Sequence, residues 1–247
     1  MRQVITASGV ISSLKRTAMR IEMYKKLKKM LLWTIALPVG GLMLFPASAW
    51  AEEFTPVQLA RELQNQYEKT ITLEAEFTQV TTMKMTRKRK RGAGTIKIKK
   101  PGKMRWDYVE PARQVLICDG ETVMMYFSST NQLYVSPAKT YLQSDVTYSF
   151  FTGSGDILRD FAAEPFAPDI PYNRAAYTLK LVPKGAHPHV DHILLWLDKR
   201  FMIVKLQIID HFGSVNDMTL DNIQTNAKIP EDVFTFDPPE DAEIIEQ

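Results

Sequence analysis

His187, His189 and His192 stand close together around Pro188 and Asp191. Clustered imidazoles are candidate zinc ligands. Their setting argues for a plainer role. His187 and His189 fall in a predicted hairpin turn, and His192 alternates with Ile193 on the strand that follows, so solvated turn histidines are expected. Cys118 is the single cysteine, which rules out an internal disulfide. It ends the apolar run Val-Leu-Ile-Cys before Asp119-Gly120. A catalytic thiol needs a base and an exposed, electropositive pocket. Nothing nearby supplies either, so Cys118 is expected to be a small buried strand residue. Glu74 and Glu76 share one face of a predicted strand, where a carboxylate pair is ordinarily hydrated surface. The chain has no HExxH helix, no nucleophile elbow, no phosphate-cradling glycine loop and no paired-cysteine metal site. No catalytic residue, metal or cofactor is expected.

The cationic residues are the stronger signal. Lys84 to Arg105 holds eleven Lys/Arg and no acid. Thr86–Arg91 (TRKRKR) is predicted as the turn between the first two long strands. Two readings stand side by side. The run is a solvated turn, with lysines that keep a sheet edge from pairing with other chains. Alternatively it docks on an acidic partner surface or on anionic lipid headgroups.

The elements that carry these charges lie in Gly92–Pro111, GAGTIKIKKPGKMRWDYVEP. Ile96 and Ile98 alternate with Lys97 and Lys99; beyond Pro101, Met104, Trp106 and Tyr108 alternate with Lys103, Arg105 and Asp107. Period-two alternation marks strands with one apolar and one polar face. The polar face is nearly all cationic. The apolar face, with Phe77 from the preceding strand, is the candidate wall of a cavity for an apolar ligand. Lys100 shares the face of Ile96 and Ile98 and is the one charge expected to point inward.

The first 51 residues read as an address. Tyr24–Lys29 is basic, Met30–Phe45 is apolar, and Ala49-Trp50-Ala51 fits a small-x-small cleavage rule. Residues 1–51 are expected to be a secretory signal peptide cut before Glu52. Residues 1–22 precede an in-frame Met23 and read as a misassigned start. Residues 52–247 form one expected domain, with 23 Lys/Arg and 27 Asp/Glu, a net charge of about −4. That balance, with the export signal, argues against nucleic acid. No cysteine lies at the cleavage point, so no lipidated N-terminus is expected.

Within that domain Thr55, Pro56 and Gln58 open a helix through a capping box, and Leu59, Leu63 and Tyr67 form its apolar stripe to about Lys69. Strands are predicted at Leu73–Thr82, through the central stretch, and at Val115–Cys118 and Thr122–Phe127, a hairpin turned by Asp119-Gly120. More follow at Gln132–Val135, Tyr177–Val182, Val190–Asp198, Phe201–Asp210 and Asp217–Ile223. Phe234–Phe236 is predicted as the last strand, before an acidic tail. Between them, residues 148–161 carry helical spacing at Ile157, Leu158 and Phe161, with Gly153 and Gly155 breaking the apolar clusters. This segment reads equally as a movable flap or as a fixed connector.

Five stretches together resemble the outer-membrane lipoprotein carrier (LolA) family: GTIKIKKPGKMRWDY (94–108), CDGETVMMY (118–126), FFTGSGDILRDF (150–161), DHFGSVNDMT (210–219) and IPEDVFTFDPP (229–239). Their order matches the family and covers nearly the whole domain. The resemblance implies a mainly β fold with some α: an incomplete antiparallel barrel, or curved sheet, under a helical lid that encloses an apolar cavity. It implies a monomeric periplasmic chaperone that is not an enzyme. Its partners would be acylated lipoproteins, the inner-membrane ATP-driven release complex that supplies them and an outer-membrane receptor that takes them. Ile96, Ile98, Met104, Trp106, Tyr108 and Phe77 would line the cavity. Phe150, Phe151, Leu158 and Phe161 would cover it, on hinges at Gly153 and Gly155. Lys100 would be the gate that bonds the lid; family members often carry arginine there, and lysine lacks the planar bidentate fork. A periplasmic lipoprotein-sensing regulator built on the same kind of sheet is the alternative.

Overall fold

Alternating apolar and polar residues over most of the chain leave it little choice but strands, and the strands must share one buried face. The computed structural model describes residues 54–139 and 155–246. The chain enters helix α1 (Pro56–Lys69), then runs through β1 (Thr72–Thr82), β2 (Arg89–Lys99), β3 (Lys103–Glu110), β4 (Gln114–Asp119), β5 (Thr122–Phe127) and β6 (Gln132–Pro137). After a one-turn helix α2 (Ile157–Asp160) come β7 (Phe161–Glu164), β8 (Tyr177–Pro183), β9 (His192–Leu197), β10 (Ile203–Ile209) and β11 (Val215–Thr225). A 3-10 turn (Glu231–Phe234) and β12 (Glu243–Glu246) complete it.

All twelve strands form one curved, unclosed sheet, in the order β12-β6-β5-β4-β3-β2-β1-β11-β10-β9-β8-β7. Every pairing is antiparallel except β12 on β6. The centre of the sheet joins the two ends of the domain, because β1 pairs with β2 on one side and β11 on the other.

The inner face is one continuous core. It takes Leu73, Ala75 and Phe77 from β1, Ile96 and Ile98 from β2, Met104 and Trp106 from β3, Leu195 and Leu197 from β9, and Met218 and Leu220 from β11. The buried stripe of α1, Leu59, Ala60, Leu63 and Tyr67, belongs to the same core. The capping box forms as expected: Gln58 N–H donates to Thr55 Oγ1 (3.3 Å), and Thr55 N–H donates to Gln58 Oε1 (2.7 Å).

Gly94 bends β2 over the core. The β2–β3 register shifts between Ala93 and Gly94, and a Cβ at Gly94 would lie 1.9 Å from the Asp107 carbonyl oxygen. Only glycine allows that approach.

The outer face holds a second, smaller core of Val115, Ile117, Tyr126 and Leu133, packed with Phe236 and Ala242 from the C-terminal segment. Two expectations change here. Phe234 ends a 3-10 turn and is buried, so Phe234–Phe236 is not a strand; the last strand is Glu243–Glu246, inside what reads as an acidic tail. Local pattern cannot reveal a short strand whose partner, β6, lies over a hundred residues away. The basic turn also lies earlier in the chain than expected. Arg89, Lys90 and Arg91 are already paired in β2, opposite Thr82, Thr81 and Val80, so the turn is residues 83–88.

Candidate functional site

The inner face changes character along β1–β3. At its deep end Phe77, Ile96, Ile98, Met104 and Trp106 are at most 6% exposed and packed together. The Phe77 ring lies 5.1 Å from Trp106 and 4.8 Å from Tyr108, the latter edge-on. Among the described residues nothing accepts from Trp106 Nε1, although the nitrogen is buried. Tyr108 is only partly buried, and beyond it the face opens. A cavity of about 670 Å³ begins there, lined by Tyr108, Gln79, Thr81, Gln114 and Pro111, with Gly92 and the basic Arg89, Lys90 and Arg91 at its mouth. Its floor is a hydrogen-bonded row: Tyr108 Oη donates to Gln79 Oε1 (2.9 Å), and Gln79 Nε2 donates to Asn216 Oδ1 (2.7 Å). Gly92 lies beside it, and a Cβ there would press on the Tyr108 ring at 3.2 Å, so the ring would have to shift by a few tenths of an ångström.

The candidate wall therefore divides. Tyr108 lines open space, whereas Phe77, Ile96, Ile98, Met104 and Trp106 form the packed core behind it. Period-two patterning places all six on one face but does not say where packing stops, because a core face and a cavity wall use the same residue types.

Lys100 lies at the far end of the same strands. Its backbone N–H donates to the Ile71 carbonyl (2.9 Å), and its Nζ donates to the Tyr67 carbonyl in the last turn of α1. Burial lowers its pKa, and the neighbouring Glu68 carboxylate acts in the opposite sense. The same carbonyl accepts from the Thr70 N–H (3.0 Å), and a cation on a carbonyl at a helix C-terminus is the pairing that a helix end favours. The inward charge thus ties the central hairpin to α1. Tyr67 is itself deep in the core, and burial raises its phenol pKa, opposed by the Ile203 backbone.

Of the proposed lid, Phe150, Phe151 and Gly153 lie outside the described residues. Gly155 sits just before α2, and its carbonyl accepts from Gln64 Nε2 of α1 (3.4 Å). Gln64 Oε1 also accepts from the Ile157 N–H (3.1 Å), so one side chain of α1 holds the start of α2. Asp156 caps α2, its Oδ1 accepting from the Arg159 N–H at 2.9 Å. Leu158 packs on the core, as Ile157 does. Phe161 departs from the expected helix: it is the first residue of β7, opposite Pro183. Its helical spacing from Ile157 holds for one turn only: the Phe161 N–H donates to the Ile157 carbonyl and both side chains enter the core, but Phe161 itself is extended and caps the helix.

Sequence reasoning missed two features. The first is a clasp on the outer, cationic face. Glu231 bonds both Lys99 (2.5 Å) and Lys103 (2.7 Å), and Lys99 Nζ also donates to the Ile229 carbonyl (3.0 Å). Arg105 holds Asp107 through two bonds, 2.6 and 3.0 Å, and donates to the carbonyls of Val233 (2.9 Å) and Thr235 (3.3 Å). The face is therefore covered by residues 229–235. Alternation gives the side on which these charges lie, not the segment that meets them. The second is His211, which approaches the His187 carbonyl (2.7 Å) and Asp191 (3.5 Å), while Asp191 also bonds His192 (2.6 Å). His192 and His211 depress the Asp191 pKa, and the His187 carbonyl and Asp191 raise that of His211. Among the described residues, no group of three or more His, Cys, Asp or Glu is arranged to hold a metal ion. Cys118 is fully buried, and burial raises its thiol pKa.

Comparison with known proteins agrees with this architecture. A crystal structure of an uncharacterized conserved protein from Thermus thermophilus superposes with a TM-score of 0.51 at 16% identity, covering 77% of this chain and all of that one, a likeness of fold. Two relatives are each named outer-membrane lipoprotein carrier protein. The one from Methylobacillus flagellatus is 30% identical over 179 residues, 72% of this chain and 84% of its own. The one from Dechloromonas aromatica is 27% identical over 187 residues, 74% and 86% respectively. The family model for the outer membrane lipoprotein carrier protein LolA matches residues 68–237, from the end of α1 past the C-terminal clasp, and the chain belongs to the LolA family.

Proposed function

We propose that the chain is a periplasmic lipoprotein chaperone, exported by residues 1–51 and working as a monomer. It takes an acylated lipoprotein from the inner-membrane ATP-driven release complex, shields the acyl chains on the inner face of the sheet, and passes the cargo to an outer-membrane receptor. The observation that carries this reading is the inner face itself. It is apolar from β3 across to β9, is roofed by α1, and opens beyond Tyr108 into a cavity.

The energetics require such a face. Each acyl methylene moved from water to an apolar site gains about 0.8 kcal/mol, so a free lipoprotein does not leave a membrane unaided. A carrier must cover the chains and still release them. Weakly held cover suits that task better than a deep permanent pocket. Among the described residues the polar attachments of the roof gather at its C-terminal end, where Lys100 and Asn226 meet carbonyls of α1, and at the joint with α2, where Gln64 bonds the Gly155 carbonyl and the Ile157 N–H; between them the buried stripe of α1 holds it by packing. The role needs no catalytic step, and the buried thiol and the exposed histidine pairs take no part in it.

The test is uptake. Protein processed by the cell is incubated with membrane vesicles that contain the release complex, ATP and labelled lipoprotein. A soluble one-to-one complex of chain and lipoprotein is the expected product. If the label stays in the membrane pellet whatever the concentration of this chain, the carrier reading is wrong.

A further inference from the structure

The two hairpin tips beside the cavity mouth carry exposed apolar side chains among unpaired cations. In the β1–β2 turn Met85 is 83% exposed; in the β10–β11 turn Phe212 is 71% exposed. The tips touch: a Cβ placed on Gly213 would lie 2.8 Å from Lys84 Cδ. Val109, at the end of β3 on the same rim, is 68% exposed. Lys84, Arg87, Lys88, Arg89, Lys90 and Arg91 are all exposed, and none forms an ion pair among the described residues. This separates them from Lys97, Lys99, Lys103 and Arg105 of the same sequence run, whose charges are met by Glu74, Glu231 and Asp107. Three acids lie near the rim, and Asp191 is taken up by His192 (2.6 Å) and His211 (3.5 Å). Glu110 pairs across from Ala93, and Asp210 is turned inward, accepting from the N–H groups of Phe212 (2.9 Å) and Ser214 (2.7 Å).

We propose that these two tips form a docking surface for an anionic lipid bilayer, with Met85 and Phe212 entering the headgroup–acyl boundary and Lys84–Arg91 meeting the phosphates. Apolar tips flanked by Lys and Arg are the chemistry of interfacial binding, in which burial and attraction to anionic lipid act together. An acidic protein surface would account for the cations but not for the exposed apolar side chains of Met85 and Phe212 among them. Arg89, Lys90 and Arg91 also line the cavity, so docking would set its mouth against the membrane. The surface does not depend on the carrier reading, because it concerns the protein without cargo.

The protein is expressed from its full coding sequence and purified as the cell processes it. It is then sedimented with vesicles of phosphatidylethanolamine and phosphatidylglycerol, and with vesicles of phosphatidylcholine alone. Binding to the anionic vesicles is expected, and added salt should weaken it. M85S/F212S and R87E/K88E/R89E should each weaken it about tenfold or more, from lost apolar burial and lost charge attraction respectively. These side chains are exposed, and an unchanged melting temperature confirms the fold of each variant. Met85→Trp supplies the second readout, with an emission shift to the blue on anionic vesicles only. Binding that both combined variants leave unchanged overturns the proposal. So does binding to a soluble acidic polymer as tight as to the vesicles, with the emission of the Met85→Trp variant unmoved, which would assign the patch to an acidic protein surface.

Discussion

Lys100 is the residue at which charge and architecture meet. It is half-buried, donates its ammonium to the carbonyl of Tyr67 and its amide to that of Ile71, and so joins the central hairpin to the last turn of α1. If α1 is part of a cover that must lift, this bond sets how readily it does so. A hydrogen bond to a charged group contributes about 1.5–3 kcal/mol, enough to shift an open–closed balance tenfold or more. Lys100→Leu keeps the apolar stem and removes the donor. It should raise amide exchange at residues 66–70 and change both uptake and handover of lipoprotein, whereas Lys100→Arg should restore exchange to the native level. Hydrogen exchange and a transfer assay, run together, decide this. Unaltered exchange and transfer in Lys100→Leu would show that the lysine is no latch. Met104 illustrates the opposite case. Its place on the apolar face invites a charge substitution as a probe of ligand binding, but it is 1% exposed in the core, so Met104→Glu would unfold the sheet before it reported on any ligand.

Among the elements, the C-terminal segment is the one whose attachment depends on pH. Glu231 has its pKa held down to about 2 by hydrogen bonds from Lys103 and Lys99. A carboxylate whose folded value lies below its unfolded value adds stability above the unfolded value, and that contribution is lost as pH falls through the folded one. The window here runs from about 4.5 down to about 2. The carboxylate is 63% exposed, so solvent screening keeps the effect local. Amide exchange or proteolysis across residues 229–236 should therefore rise in that window in the native protein. In Glu231→Gln it should already be raised at neutral pH and change little through the window. If both proteins respond to acid alike, Glu231 is not the clasp. The same segment marks what the sequence makes legible. The long strands, the capping box of α1 and the inward side of Ile96–Lys100 follow from period and local chemistry, because each is decided by near neighbours. The strap over Arg105, the edge strand β12 and the pairing of Asp191 with His211 do not, because each joins residues far apart in the chain. The end of α2 at Phe161 is a further case. There the pairing with Pro183, not propensity, decides that a strand begins.

For the whole molecule, the described inner face sets stability against capacity. The side chains that make the sheet stable are those that a ligand would have to pass, and they are already packed against one another behind Tyr108. A sheet built this way gains room for acyl chains only by giving up core contacts or by parting from α1. Phe77 sits at the boundary. It touches Trp106 in the core and Tyr108 at the cavity, and it is 1% exposed. Phe77→Ala should cost about 3–5 kcal/mol and lower the melting temperature by on the order of 10 °C. It should also extend the cavity inward from Tyr108, so that a fluorescent fatty acid binds more tightly than to the native protein even though the fold is weaker. Leu179→Ala is the control. Leu179 is fully buried in the same core on β8, and its loss should destabilise the sheet with no gain in binding. Calorimetry and probe titration on the two variants separate the effects. If Phe77→Ala and Leu179→Ala lose stability and leave probe affinity alike, the space behind Tyr108 is not on the path of an acyl chain.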